Sequence, residues 1–333
     1  MDKRSKYYLD RFTKQEDGIN KLTVKKEAAL KRIYRDAKKE LESDLAVFLE
    51  KYSRANKLES ADLKRMLNTK EIAKFRYDIK GYVDEIERLG KDTLEGKALK
   101  KELDIMAGRT RVSRVEALRT GIEHELNKVA IKSSDTLKNH LSGVVDETYS
   151  EAFKIIRGNT MAKLDTKLIK RIVGQKWDSK NYSQRVWQNR RGLADKVMKT
   201  ITSGIMQGHD FDRMVDGLRK NVAVGYYEAR RLMHTETTFA LERAKGEAFK
   251  DMGVKKYRFV AVMDRDTSEI CRNLNGQEFE MKDRQIGINC PAMHPFCRSV
   301  TVPVLEVKKD KIIEQNKIRR THPATEVIPS VRV

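Results

Sequence analysis

Four residues toward the C-terminal end of the chain have side chains that could hold a metal ion. They are Cys271, Cys290, His294 and Cys297, spaced C-x18-C-x3-H-x2-C. Thiolate and imidazole are the donors that zinc prefers, and a tetrahedral site can hold together a unit too small to fold alone. The stretch around them, about 50 residues, is in that marginal range. The competing reading makes the cysteines small buried hydrophobes and His294 a turn residue ahead of Pro295. A second set is Asp264, Asp266 and His294, with Glu236 as an added candidate. Two carboxylates beside a histidine could bind a divalent ion and activate water, as a nuclease does. However, "DRDT" after a strand is also ordinary turn chemistry, with Asp and Thr capping the next helix. The spacing is not specific for catalysis, and the chain reads as a binding protein and not an enzyme.

The elements that must position these residues are mostly helices. The chain has 333 residues, 36% of them charged and only 5 prolines, a composition suited to long helices. From Ile19 to Tyr52, Ile33, Ala37, Leu41, Leu45 and Leu49 form one apolar stripe. A second helix is predicted over Leu63–Leu89 and a third over Val112–Val129. A fourth is predicted to start at Ser134-Asp135, which are good cap residues. The narrow stripes point to an elongated, hairpin-like packing. Residues 155–192 lose periodicity and read as a junction containing Trp177 and Trp187. Leu193, Val197, Ile201 and Ile205 then line a helix, and "QGHD" makes a turn with Asp210 as N-cap. A short helix is predicted over Phe211–Lys220, followed by a longer one ended by Gly253. This helix pair reads as a packed hairpin and not as a base-reading unit.

Beyond Gly253 the pattern turns to strands. "KYRFVAVM" and "RSVTVPVLEV" are β-branched and aromatic, and Pro303 assigns the second to an edge. "LNGQEFE" carries a tight-turn signal followed by a short strand. The fold class is therefore mainly α: an extended N-terminal helical region, then a helical segment and a small C-terminal α+β domain. The boundaries are 1–154, 155–192, 193–253 and 254–306, with a basic, partly disordered tail over 307–333.

Lys and Arg number 70 against 49 Asp and Glu, a formal charge of +21. Nucleic acid is the usual partner of such an excess. The basic residues are dispersed along the chain, which predicts contact with DNA phosphates without regard to sequence. The first residues lack an apolar signal-peptide core, and no stretch approaches the length of a membrane span. An odd count of three cysteines argues against a secreted disulfide framework. The expectation is a soluble protein made in the cytoplasm, with no membrane partner.

The C-terminal residues carry a resemblance. "RRLMHTETTFALERAKGEAFKDMGVKKYRFVAVMDRDTSEICRNLNGQEF" followed by "HPFCRS" resembles the phage head morphogenesis family of Mu protein F-like minor head proteins. The matching positions include Arg231, Thr235, Glu236, Asp264, Thr267, Cys271, Gly276, His294, Pro295, Cys297 and Arg298, and the resemblance covers roughly 170–305. Ser268 stands where the family has its first cysteine, so Cys290 becomes the candidate for a fourth zinc ligand. The resemblance implies a minor capsid protein of a tailed bacteriophage of Gram-positive bacteria. Such a protein associates with the portal, and with scaffolding or major capsid protein as further partners. It is made in the host cytoplasm, packaged inside the virion head, and ejected with the DNA in some phages. Some members carry a further toxin or enzymatic domain; none is expected here, because the chain ends soon after "VTVPVL". The alternative function is a metal-dependent nuclease or hydrolase using Asp264, Asp266 and His294. The motif arginine Arg298 is expected to pair with Glu236 or Asp264, and its charge reversal to unfold the C-terminal domain.

Overall fold

In the computed structural model, residues 3–52, 79–108, 113–158 and 162–305 are described. Three long helices dominate: α1 (Lys3–Tyr52), α4 (Arg114–Arg157) and α7 (Phe211–Asp251). The shorter helices are α2 (Ile79–Leu89), α3 (Leu94–Gly108), α5 (Thr166–Gly174), α6 (Tyr182–Met206) and α8 (Glu269–Leu274). Strands β1 (Lys256–Val260), β2 (Glu278–Glu280) and β3 (Val300–Val304) form one antiparallel sheet in the order β2-β1-β3. Pro303 lies on β3, an edge strand, as its missing N–H requires. Among the described residues no helix is long and apolar enough to cross a membrane.

The 50 residues of α1 make a rod about 75 Å long. Its buried positions, Tyr8, Phe12, Glu16, Ile19, Thr23, Leu30, Tyr34, Ala37, Leu41, Leu45 and Phe48, follow steps of three, four and once seven. Steps that average near 3.6 residues keep the stripe on one side of a straight helix. Tyr34 and Phe48 take the core positions that the sequence assigned to Ile33 and Leu49, which are only partly buried. Helix α1 runs antiparallel to α4, with Gln15 bonding the Thr148 carbonyl at 3.0 Å and Thr23 3.2 Å from His140. It is also antiparallel to α7, through Arg230–Glu27 at 2.8 Å and Arg219–Glu42 at 2.8 Å.

Several expected breaks do not occur. The third and fourth predicted helices are one helix, α4, which starts with a capping box between Ser113 and Glu116. Ser134 lies buried in mid-helix, because Leu126, Ala130, Leu137 and Leu141 continue one apolar stripe through it. Likewise the helices predicted either side of residues 221–225 are one helix, α7. Gly225 is there for close packing: a Cβ on it would lie 2.7 Å from Leu193 and 3.2 Å from Tyr34. The residues predicted as a junction contain α5 and the start of α6, capped by Asp165 and by an Asn181/Gln184 box. The Asp210 N-cap and the positive-φ Gly253 are where the sequence placed them. Trp187 is a core anchor, 4% exposed.

The boundary at 154 does not separate two cores. The largest apolar cluster joins Leu30–Phe48 of α1 and Leu118–Leu137 of α4 to Leu193–Ile205 of α6 and Met214–Met233 of α7. A second cluster joins Tyr8 and Phe12 of α1, Tyr149 and Ile155 of α4 and Phe249 of α7 to Tyr257, Val300 and Val302 of the sheet. The sheet thus closes one end of the three-helix body. The first part of the predicted Leu63–Leu89 helix, Val112, and the tail over 307–333 lie outside the described residues.

Candidate metal centre

Helix α8 presents Cys271 in its first turn. Ser268 is its N-cap and accepts from the Cys271 N–H at 3.4 Å. His294 and Cys297 come from the loop between β2 and β3. Phe296 between them is left-handed, φ 58°, and the Cys297 N–H bonds back to the His294 carbonyl at 3.2 Å. That turn brings both side chains to Cys271. Cys271 Sγ lies 3.3 Å from His294 Nε2 and 3.9 Å from Cys297 Sγ. All three donor atoms are within 4.8 Å of one another.

These separations fit zinc. Tetrahedral bonds of about 2.3 Å to sulfur and 2.0–2.1 Å to nitrogen put two sulfurs about 3.8 Å apart and sulfur and nitrogen about 3.6 Å apart. His294 Nδ1 lies 2.8 Å from the Pro295 carbonyl. A carbonyl only accepts, so Nδ1 carries the proton and the Nε2 lone pair is left for a metal. A hydrogen bond from Cys297 holds the Cys271 thiol down to about 5 and pushes Cys297 up. Thr238 of α7 bonds the Cys297 carbonyl at 3.1 Å, fixing the loop to the helical body. Beside the trio a cavity of about 460 Å³ is lined by His234, Asp266, Ser268, His294 and Cys297, among others.

Cys290 is not part of this group, which corrects its assignment as fourth ligand. It is fully buried, and its thiol donates toward Glu242 Oε2 and the Pro291 carbonyl, each at 3.5 Å. Burial pushes that thiol well up. The carboxylates of the hydrolase reading are also placed otherwise. Asp264 is held by both terminal nitrogens of Arg298 at 2.7 and 2.8 Å, by Thr267 at 3.1 Å and by the Asp266 N–H at 3.0 Å. These bonds, the Arg298 one foremost, pull it down to about 2. It frames the turn before α8. Asp266 is exposed, and among the described residues neither aspartate groups with His294 around a metal-sized point.

The other motif residues frame the structure. Thr267 Oγ1 also bonds the Val262 carbonyl, and Gly276, at φ 83°, returns the chain so that its N–H meets the Phe259 carbonyl at 2.8 Å. Thr235 bonds back to the Arg231 carbonyl, and Arg231 pairs with Glu228 on the surface. Glu236 faces Arg185 at 3.1 Å and Trp177 Nε1 at 3.3 Å. Arg298 therefore pairs with Asp264 and not with Glu236. That pair is 43% and 36% exposed, too open to hold a domain by itself.

Sequence reasoning missed a buried centre. Glu242 of α7, wholly buried, accepts from Lys245 at 2.8 Å, Arg284 at 2.6 Å, and the Thr301 N–H and hydroxyl at 3.3 and 2.5 Å. It ties α7 to the β2–β3 loop and to β3. One signal was present in the sequence. Glu242 and Lys245 occupy the helical stripe shared by Thr238 and Phe249, where charge must find charge.

Residues 195–302 match the family model described as "Phage Mu protein F like protein". The chain is also 23% identical over 172 residues to the NAD(+)–arginine ADP-ribosyltransferase EFV of Enterococcus faecalis. That alignment takes in 45% of this chain and 35% of that protein, so the chain spans about a third of the relative's length. No solved structure matches. The family match begins within α6 and takes in α7, the sheet and the Cys271–His294–Cys297 group, so residues 195–302 carry a Mu protein F-like domain like that of phage head morphogenesis proteins.

Proposed function

We propose that this protein is a minor capsid protein of a tailed phage, associated with the portal, packaged inside the head and bound there to double-stranded DNA. It leaves with the DNA at infection, and it binds without catalysing. The observation that carries DNA binding is the outer face of α1. Lys21, Lys25, Lys31, Arg32, Arg35 and Lys39 are exposed there, Arg35 paired with the exposed Asp36 at 3.0 Å, while Glu27 is turned inward to Arg230 and His234. The stripe is about 27 Å long, the length of roughly eight base pairs of duplex. Lysines and arginines along a rigid rod meet phosphates and read no bases. The match of residues 195–302 to the Mu protein F-like family is what supports portal association and packaging.

Cys271, His294 and Cys297 would hold a zinc ion. Its part would be structural, as a cross-link between α8 and the loop that feeds β3. The non-enzymatic reading is supported by the engagement of Asp264 with Arg298 and its own turn.

The test is a gel-shift assay on the purified protein with plasmid and linear duplex over a salt series, with zinc, magnesium or EDTA. The expected result is a shift that weakens steeply with salt and leaves the DNA intact. Metal-dependent cutting would overturn the reading. Portal association is tested by co-purification with the portal protein of the same phage, and failure to co-purify removes that part.

A further inference from the structure

Where the end of α7 meets the sheet, on the side of Glu280–Arg284, there is a cavity of about 530 Å³. Its lining includes five cations, Arg243, Lys250, Lys255, Lys282 and Arg284, against two carboxylates, Glu247 and Glu280. Glu280 is already paired with Lys256 at 3.3 Å. Two of the cations are arginines with unused donors: Nε of Arg243 and Nε of Arg284 are buried and have no hydrogen-bond partner among the described residues. The Arg284 side chain is 6% exposed and uses one terminal nitrogen on Glu242. It crosses α7 at Gly246, where a Cβ would come within 2.7 Å of its guanidinium. Burial depresses Arg243; Glu247 offsets part of this, while Arg284 and Arg171 add repulsion. The helix carbonyls nearby are hydrogen-bonded, which lessens their repulsion of an anion. Ala248, Phe249 and Lys250 accept from the N–H groups of Met252, Val254 and Gly253.

Two arginines, one of them buried, lining one concave site together with three lysines, are the kind of group set that binds a tetrahedral oxyanion by several charge-assisted hydrogen bonds. From this geometry we infer that the cavity is a phosphate-binding site. The phosphate is either a phosphodiester of DNA or a free phosphate. The first case deepens the DNA-binding reading and rests on it; the second does not. Asp264, the Cys271 group and the α1 stripe play no part in it.

The test uses the full chain and three proteins: wild type, the cavity variant Arg243→Gln/Lys282→Gln, and a charge-matched control, Lys196→Gln/Lys220→Gln, whose residues are exposed and outside the cavity. Arg284 is left intact because Glu242 depends on it. Thermal melting first establishes that all three are folded. Inorganic phosphate binding is then measured by calorimetry, and binding of a short duplex by fluorescence anisotropy over a salt series.

The expected result is saturable phosphate binding by wild type and control that is lost in the cavity variant. Duplex affinity should fall about tenfold in that variant, with the salt slope smaller by about two. Loss of phosphate binding without any selective loss of duplex affinity would assign the site to free phosphate. Phosphate binding by a wild type that binds no duplex would sink the DNA reading and leave the site standing. If cavity variant and control behave alike with both probes, the site does not exist, and any duplex binding that remains belongs to the dispersed surface charge.

Discussion

Two carboxylates six residues apart on α7 are both almost wholly buried, and their surroundings push them in opposite directions. Glu236 has one cation, Arg185, and the Trp177 indole N–H. Burial outweighs them and raises it to about 7. Glu242 is buried more completely, yet Lys245 and Arg284, helped by the Thr301 hydroxyl, outweigh its burial and hold it below the usual carboxylate range. Glu16 of α1 lies close by and is raised: burial dominates, the Glu242 charge adds to it, and Lys245 opposes. Burial costs any charge free energy, and the count and fit of donors decide whether the charge survives. Glu236 joins helix to helix. Glu242 joins the helical body to the sheet, and there the donors are complete.

The comparison is broken most severely at Glu242. Glu242→Gln leaves Lys245 and Arg284 buried without a counter-charge and should cost about 3–5 kcal/mol, measured by urea unfolding. A cost near zero would mean that the centre does not hold the sheet. The zinc group comes next. Cys271→Ser should abolish zinc retention, while Cys290→Ala should retain the metal at the wild-type ratio, read by metal analysis after dialysis. Equal loss in both would return Cys290 to the ligand set.

The signs of the two carboxylates then separate them by pH. A raised acid contributes stability that is full below its unfolded value, about 4.5, and lost as pH rises through its folded value, here about 7. A lowered acid contributes stability present above about 4.5 and lost as pH falls below it. Glu236→Gln should therefore remove a decline in stability between about pH 5 and 8 and change little at pH 4. Melting temperatures across that range decide it, and an unchanged decline would clear Glu236 of responsibility. The smallest effect is expected at Arg298. Arg298→Gln breaks a solvent-screened pair and should leave the melting temperature close to that of the wild type; global unfolding would show that Asp264 anchors far more than its turn.

The motif residues were legible because they act locally. Asp264, Thr267 and Gly276 turn the chain within a few positions of themselves, so residue type and spacing were enough, although the cap of α8 is Ser268 and not the Asp or Thr that the sequence assigned to it. Cys271, His294 and Cys297 were also visible as a set, though not the exclusion of Cys290. A cysteine four residues before a histidine has the right spacing for a ligand, and only the path of the β2–β3 loop turns its sulfur to Glu242.

The sequence by itself determined the mainly helical class, the strands after Gly253, the edge position of Pro303, the Asp210 cap and the family motif. All of these depend on periodicity or on contacts within one turn. The tertiary structure decided what depends on neighbours. It kept α4 and α7 continuous through Ser134 and Gly225, because packing along an unbroken stripe outweighs a weak local stop signal. It merged the N-terminal helices and the family domain into one core. It also brought Glu242, Lys245, Arg284 and Thr301 together from α7, the β2–β3 loop and β3, since the low-dielectric interior compels buried charges to find one another.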